Sequence, residues 1–200
     1  MFVAFDGIDG SGKSTQARML HEYMGGREKT ILTAEPTNGK IGQLLRSYLR
    51  GEEKVDDRTI QLLFVADRSE HVREISSYTS TASVISDRYV LSTIAYGMAA
   101  GLDKKWLIEL NSGFIVPDHT IIIDVDANEA MNRVERRTAK KNGKEKSGAG
   151  KTERFEKREF LERVRKAYLS LTELYPNTHV IRSEESVGDT FGKVMAAIKE

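Results

Sequence analysis

The opening stretch constrains this chain more than any other. Residues 2–15 read FVAFDGIDGSGKST. Phe2, Val3, Ala4 and Phe5 form a short apolar run of the kind that makes a buried strand. Gly7, Gly12, Lys13 and Ser14 then satisfy the pattern G-x-x-x-x-G-K-[ST] in full. Residues 15–24 read as a helix with Ala17, Leu20 and Met24 on its apolar side. Strand, glycine-rich turn and helix in that order is the context in which the pattern makes a phosphate site. Glycines let successive backbone N–H groups point into one concavity, and the helix that starts there adds partial positive charge. Lys13 is placed to reach the β- and γ-phosphates, and the Ser14 hydroxyl to ligate Mg²⁺. The expectation is a nucleoside triphosphate site.

Composition limits what can be attached to that site. At 200 residues the chain has the length of one domain, and 39% hydrophobic residues supply a core. A net charge of +1 gives no overall attraction to nucleic acid or to a membrane surface. There is no cysteine, so thiolate metal ligands and thiol nucleophiles are excluded. His21, His71, His119 and His179 have no metal-ligand spacing. The chain begins with a core strand rather than a signal peptide, and no apolar run approaches the ~18 residues of a membrane span. A cytoplasmic enzyme acting on small molecules, with no nucleic acid or membrane partner, is the expectation.

Along the chain, strand and helix alternate. Strands are predicted over 29–34, 83–86, 119–125 and 178–181. Helices are predicted over 41–49, 56–78, in the stretch up to about 113, and over 128–141, 154–175 and 187–199. The rhythm implies a parallel sheet with helices on both faces and ligands at the carboxyl ends of the strands. Residues 142–152 are rich in Lys and Gly and lack apolar periodicity. The sequence Gly148-Ala149-Gly150-Lys151-Thr152 imitates the end of a phosphate loop, but Glu145 stands where its first glycine belongs and no strand precedes it. The basic run from Arg133 to Arg154 reads either as a solvated face or as a lid closing over bound ATP.

Two acidic residues compete for the metal. Asp87 follows Val84-Ile85-Ser86, and Asp124 follows Ile121-Ile122-Ile123, each at a strand end. Either suits a carboxylate near Mg²⁺, and either suits a helix N-cap. Arg88 beside Asp87 favours that position, because a guanidinium fork matches a second bound phosphate. Phe64 and Arg68 lie four apart on one helix face. They read as a core pair or as a platform that stacks on a nucleobase and donates to its carbonyl.

Taken together the segments resemble thymidylate kinases over nearly the whole chain. FDGIDGSGKSTQ at 5–16, EPT at 35–37, LLFVADRSEH at 62–71, SDRYVLSTIAYG at 86–97, VPDHTIIIDVD at 116–126 and ERFEKREFLERVRKAY at 153–168 carry the resemblance. It implies an α/β P-loop nucleoside monophosphate kinase fold with a five-stranded parallel sheet. Over residues 1–200 it implies a single kinase domain with a mobile lid at about 138–155, and a homodimer. The implied reaction transfers the γ-phosphoryl group of MgATP to dTMP, giving dTDP and ADP. The resemblance places ATP on Gly7, Asp9, Gly10, Ser11, Gly12, Lys13, Ser14 and Thr15, with Arg133 against adenine. It places dTMP on Asp9, Phe64, Arg68, Arg88, Ser92, Thr93 and Tyr96, and Mg²⁺ on Ser14 and Asp87. Catalysis is assigned to Lys13, Asp9, Arg88 and Arg154. Some family members carry an arginine after the loop carboxylate, where this chain has Gly10, so the lid is expected to supply the catalytic cation through Arg154 or Lys151. Ala34 replaces a frequent family arginine, and Arg46 is a candidate substitute for it. A kinase for another pyrimidine monophosphate or a nucleoside, an ATPase driving a protein partner, and a catalytically silent nucleotide-binding module are the rival readings.

Overall fold

A computed structural model describes every residue except 27, 53, 143–150, 185 and 200. The side chains of 140–142 and 151–156 also lie outside the description. Five strands make one parallel sheet: β1 (Phe2–Asp6), β2 (Thr30–Ala34), β3 (Ser83–Asp87), β4 (His119–Asp124) and β5 (Thr178–Arg182). Their spatial order is β2-β3-β1-β4-β5. β1 is therefore central, with Phe5 opposite Asp87 on one side and Ile121 on the other.

Alternation along β1 divides the core into two. Val3 and Phe5 face α1 (Lys13–Gly25) and α8 (Val187–Lys199), packing on Ala17, Leu20, Val194 and Ala197. Phe2 and Ala4 face the other layer, built from α3 (Asp57–Thr79), α4 (Val90–Ala99), α5 (Lys104–Leu110), α6 (Ala127–Asn142) and α7 (Lys151–Leu169). The remaining helix, α2 (Lys40–Leu49), packs on α3. A sheet buried on both faces explains why its central strands are near-continuous apolar runs rather than alternating ones. The sheet order reverses at β1, since the chain leaves it toward β2 and β3 and later returns to β4 on the opposite side. That crevice is where an open parallel sheet binds its ligand.

The strands fall where the sequence places them, within a residue or two. One helix differs. Periodicity extends the helix before β5 to residue 175, but α7 ends at Leu169. Leu171 and Leu174 continue the apolar spacing, yet their amides bond three residues back, to Tyr168 and Leu171. Tightening the turn keeps Leu171 buried while it redirects the chain toward β5. The expected lid at 138–155 includes residues 143–150, which lie outside the described residues, as does the imitation phosphate loop apart from the backbone of Lys151 and Thr152.

Candidate active site

The loop after β1 closes tightly on the glycines. Gly7, Gly10 and Gly12 have φ of 141°, 86° and 100°, values that L side chains rarely adopt. At two of them the surroundings also forbid a side chain. A Cβ on Gly7 would lie 2.6 Å from the Ile123 carbonyl oxygen, and one on Gly10 would lie 2.2 Å from that of Ala130. The first turn of α6 therefore rests directly on the loop. This gives a physical reason for the absence of an arginine at position 10.

Lys13 opens α1 and is almost wholly buried, with Nζ 3.4 Å from the Ile8 carbonyl and 3.6 Å from Asp9. Burial, followed by the repulsion of Arg88, lowers its pKa to about 8, against the pull of Asp9 and Asp87. A cation held this dry is primed for an anion that would share its desolvated site.

Arg88 reaches the same loop from β3. Its backbone lies in the left-handed region, φ 75°, and the Ser86 hydroxyl accounts for its carbonyl at 2.7 Å. The guanidinium pairs with the Asp9 carboxylate and contacts the Gly7 carbonyl at 3.4 Å and the Ser92 hydroxyl at 3.1 Å. It also reaches the hydroxyls of Tyr96 and Tyr168, each at 3.4 Å. Although burial works against ionisation of Asp9, the charges of Arg88 and then Lys13 outweigh it and hold its carboxyl below the usual range.

A cleft of about 1530 Å³ runs over the carboxyl ends of the strands. Asp9, Gly10, Ser11, Gly12, Lys13, Ser14 and Thr15 line it, together with Asp87, Arg88 and Arg133. Arg133 donates to the Ser183 hydroxyl at 2.8 Å and is held by Glu129 at 2.9 Å, so it stands where α6, the loop and the end of β5 meet. Sequence reasoning missed Arg182, Ser183 and Glu184, which line this end of the cleft. No motif marks them, and only the position of β5 beside β4 brings them in.

The two candidate metal carboxylates have different surroundings. Both oxygens of Asp124 are held by Arg165 of α7, at 2.5 and 2.7 Å. Asp87 lines the cleft with Ser14, and its Oδ1 is buried without a hydrogen-bond partner among the described residues. An unpartnered carboxylate oxygen beside a phosphate-loop hydroxyl fits Mg²⁺, which takes one or two protein oxygens and fills its other positions with water and phosphate.

The expected acceptor residues are unequally exposed. Phe64 and Tyr96 are half-buried. Tyr96 lies under the Arg88 guanidinium, 5.2 Å from ring centroid to Cζ, and meets the ring of Phe160 edge-on. Ser92, Thr93 and Arg68 are buried. The Ser92 hydroxyl donates to Asp6 and lies 2.7 Å from that of Tyr168, and the Thr93 hydroxyl accepts from Arg68. None of Phe64, Arg68, Ser92, Thr93 and Tyr96 lines the main cleft; Glu35 does. Arg46 donates to the carbonyls of Pro36 and Thr37, both at 2.5 Å, and so braces the turn after β2. The side chains of Arg154 and Lys151 lie outside the described residues.

A phosphate loop on the central strand, an arginine meeting it from the neighbouring strand, and a cleft across the sheet switch point define the P-loop nucleotide kinase class. The family model for thymidylate kinase matches residues 5–194. A probable thymidylate kinase of Methanocaldococcus jannaschii is 34% identical over 199 residues, covering 100% of this chain and 96% of that protein. One of Thermococcus kodakarensis is 37% identical, covering 100% and 97%. Among solved structures, a thymidylate kinase from Ehrlichia chaffeensis superposes with a TM-score of 0.76 at 29% identity, covering 100% of this chain and 98% of that one. The chain belongs to the thymidylate kinase family. It is an ATP-dependent kinase that phosphorylates dTMP to dTDP.

The state of Lys13 has a measurable consequence. With a pKa of about 8 before nucleotide binds, Lys13 is roughly half protonated at pH 8. A bound polyphosphate favours the charged form, so ATP binding at pH 8 should take up a proton fraction of about one half, and far less at pH 6.5. Calorimetric titration in buffers of different ionisation enthalpy measures this, and Lys13→Met should abolish the uptake.

Proposed function

We propose that the two sides of the P-loop divide the substrates, and that Arg88 joins them. The carrying observation is the contact of Arg88 with both Asp9 and the Gly7 carbonyl, which puts a phosphate-binding fork beside the loop that holds ATP. In this reading Gly7 to Thr15 and Lys13 hold the ATP phosphates, and Arg133 lies against adenine. Arg88 holds the dTMP phosphate, with Asp9 facing the acceptor. Tyr96, whose ring supports Arg88, lies under the deoxyribose. Phe64 stacks on thymine, Arg68 donates to its O4, and Ser92 and Thr93 stand behind the base. Asp9 is ionised and orients Arg88 until the acceptor phosphate competes for it.

Ser14 and Asp87 would hold Mg²⁺, which when bound neutralises phosphate charge. The dTMP phosphate is itself the nucleophile, so no strong general base is needed. The chain aligns one of its oxygens in line with the γ-phosphorus and surrounds the transferred group with Lys13, Arg88 and a lid cation, for which Arg154 is the candidate. The steric contact between position 10 and Ala130 supports a lid rather than a loop arginine. We further infer a single kinase domain with its lid at about 138–155, a cytoplasmic location, and a homodimer. Exposed Leu44 and Leu49 on α2 and Leu62 on α3 support the dimer, since they present apolar surface on adjacent helices.

Three measurements check these assignments. ADP formation from MgATP should be fastest with dTMP and negligible with thymidine or with no acceptor. Turnover independent of any acceptor would instead indicate an ATPase. Arg154→Ala should lower kcat on the order of 10³-fold while dTMP binding stays nearly constant. Equal activity in that variant would remove Arg154 from the mechanism. Sedimentation equilibrium should return twice the 22.5 kDa chain mass, and Leu62→Glu should shift it toward the monomer.

A further inference from the structure

Arg68 is wholly buried, and its hydrogen bonds can be accounted for donor by donor. A guanidinium has five N–H groups and no acceptor. Nε lies 3.0 Å from Glu35 Oε2 and 3.2 Å from its Oε1. One Nη2 hydrogen goes to Glu35 Oε2 at 2.5 Å and the other to the Thr93 hydroxyl at 2.7 Å. One Nη1 hydrogen goes to Asn111 Oδ1 at 2.5 Å. The second Nη1 hydrogen has no partner among the described residues. The group lies between the rings of Tyr89 and Phe114, at 5.2 and 5.6 Å from their centroids, so it has little freedom to turn.

Glu35 is fixed in the same way from behind. Its Oε1 is 2.9 Å from His71 Nδ1, and His71 Nε2 is 2.7 Å from the Thr33 hydroxyl. An ionised carboxylate only accepts, so Nδ1 carries the hydrogen and donates. Burial opposes ionisation of Glu35, but Arg68 and the His71 hydrogen bond more than offset it. Glu35 is also the one member of this pair that lines the substrate cleft. A buried ion pair offers little net stability over an apolar replacement. Stability alone therefore leaves unexplained why Thr33, His71, Thr93 and Asn111 converge on it.

We propose that Glu35, braced by His71, is a positioning residue for acceptor-base selectivity: it holds Arg68 in the one orientation that leaves a single Nη1 hydrogen for a base carbonyl. This rests on the reading of Arg68 as the group that recognises the base. A locked donor meets O4 of thymine favourably and leaves the amino group of cytosine facing another donor. Were the guanidinium free to rotate away, the penalty against the amino base would shrink. Glu35 therefore governs discrimination rather than the phosphoryl transfer step.

The test compares kcat and KM for dTMP and dCMP in the wild type, Glu35→Gln, His71→Leu, His71→Gln and Arg68→Met. Glu35→Gln keeps the size of the side chain but presents an amide N–H₂ to a guanidinium that cannot accept. The dTMP-to-dCMP ratio of kcat/KM should fall by about ten-fold or more, mainly through a higher KM for dTMP, with KM for ATP nearly constant. His71→Leu should lower the ratio in the same direction. His71→Gln, whose amide can still donate to Glu35, should retain most of it. Should Glu35→Gln not fold, the two His71 variants decide, with circular dichroism confirming that both are native. An unchanged ratio in Glu35→Gln and His71→Leu, when Arg68→Met lowers it, overturns the proposal and leaves the Arg68 reading standing. An equal loss of kcat with both acceptors at constant ratio also overturns it, since that is the mark of a purely structural pair. A ratio unchanged even in Arg68→Met overturns the proposal together with the reading beneath it.

Discussion

Arg88 meets the phosphate loop only because the chain leaves β3 through a left-handed turn. That conformation costs an ordinary side chain roughly 1–2 kcal/mol. It persists here because the turn is held at several points: the Ser86 hydroxyl on the Arg88 carbonyl, the Arg88 amide on the Phe5 carbonyl at 2.8 Å, and the guanidinium on Asp9. In extended backbone the side chain would instead stand perpendicular to the sheet, on one of its two faces. The sheet order serves the same end, since β3 rather than β2 lies beside β1 and brings Asp87 level with Phe5.

The molecule handles its charges in two ways. Around Lys13 and Arg88 the cations outnumber their nearest carboxylate partner, Asp9, and burial, followed by the repulsion of Arg88, costs Lys13 part of its affinity for a proton. This is a site that is incomplete without an anion. Around Arg68 the opposite holds. Glu35, Thr93 and Asn111 nearly saturate the guanidinium, and a rigid buried network results. Unpaired positive charge therefore gathers at the phosphate loop, and the buried network around Arg68 is nearly closed on itself.

Much of this was legible in the residues. The glycine spacing with its flanking strand and helix located the phosphate loop, and the strand–helix rhythm gave a parallel sheet, because both signals are local. The choice between Asp87 and Asp124 was less visible. It turns on Arg165, 41 residues from Asp124, whose two bonds occupy that carboxylate and leave Asp87 with the free oxygen. The end of α7 was misread because Leu171 and Leu174 keep helical spacing after the backbone has changed its bonding. Arg68 could be read as a donor by its type, but not as a nearly saturated one. Its partners come from the turn after β2, from α4 and from the end of α5, which no spacing rule brings together.

The packing of α6 against Gly10 also bears on how such an enzyme can change over generations. The resemblance implies two designs, one with the catalytic cation on the phosphate loop and one with it on the lid. Here a route between the two designs through a single replacement at position 10 is closed, since any Cβ meets the Ala130 carbonyl before a longer side chain could reach substrate. α6 would first have to retreat from the loop, and Ala127, Ala130 and Met131 are buried in the core that α6 helps to form. The two designs are thus separated by a rearrangement of a whole helix. A lineage that has settled its first turn of α6 on the loop has in effect fixed a glycine at that point of the loop.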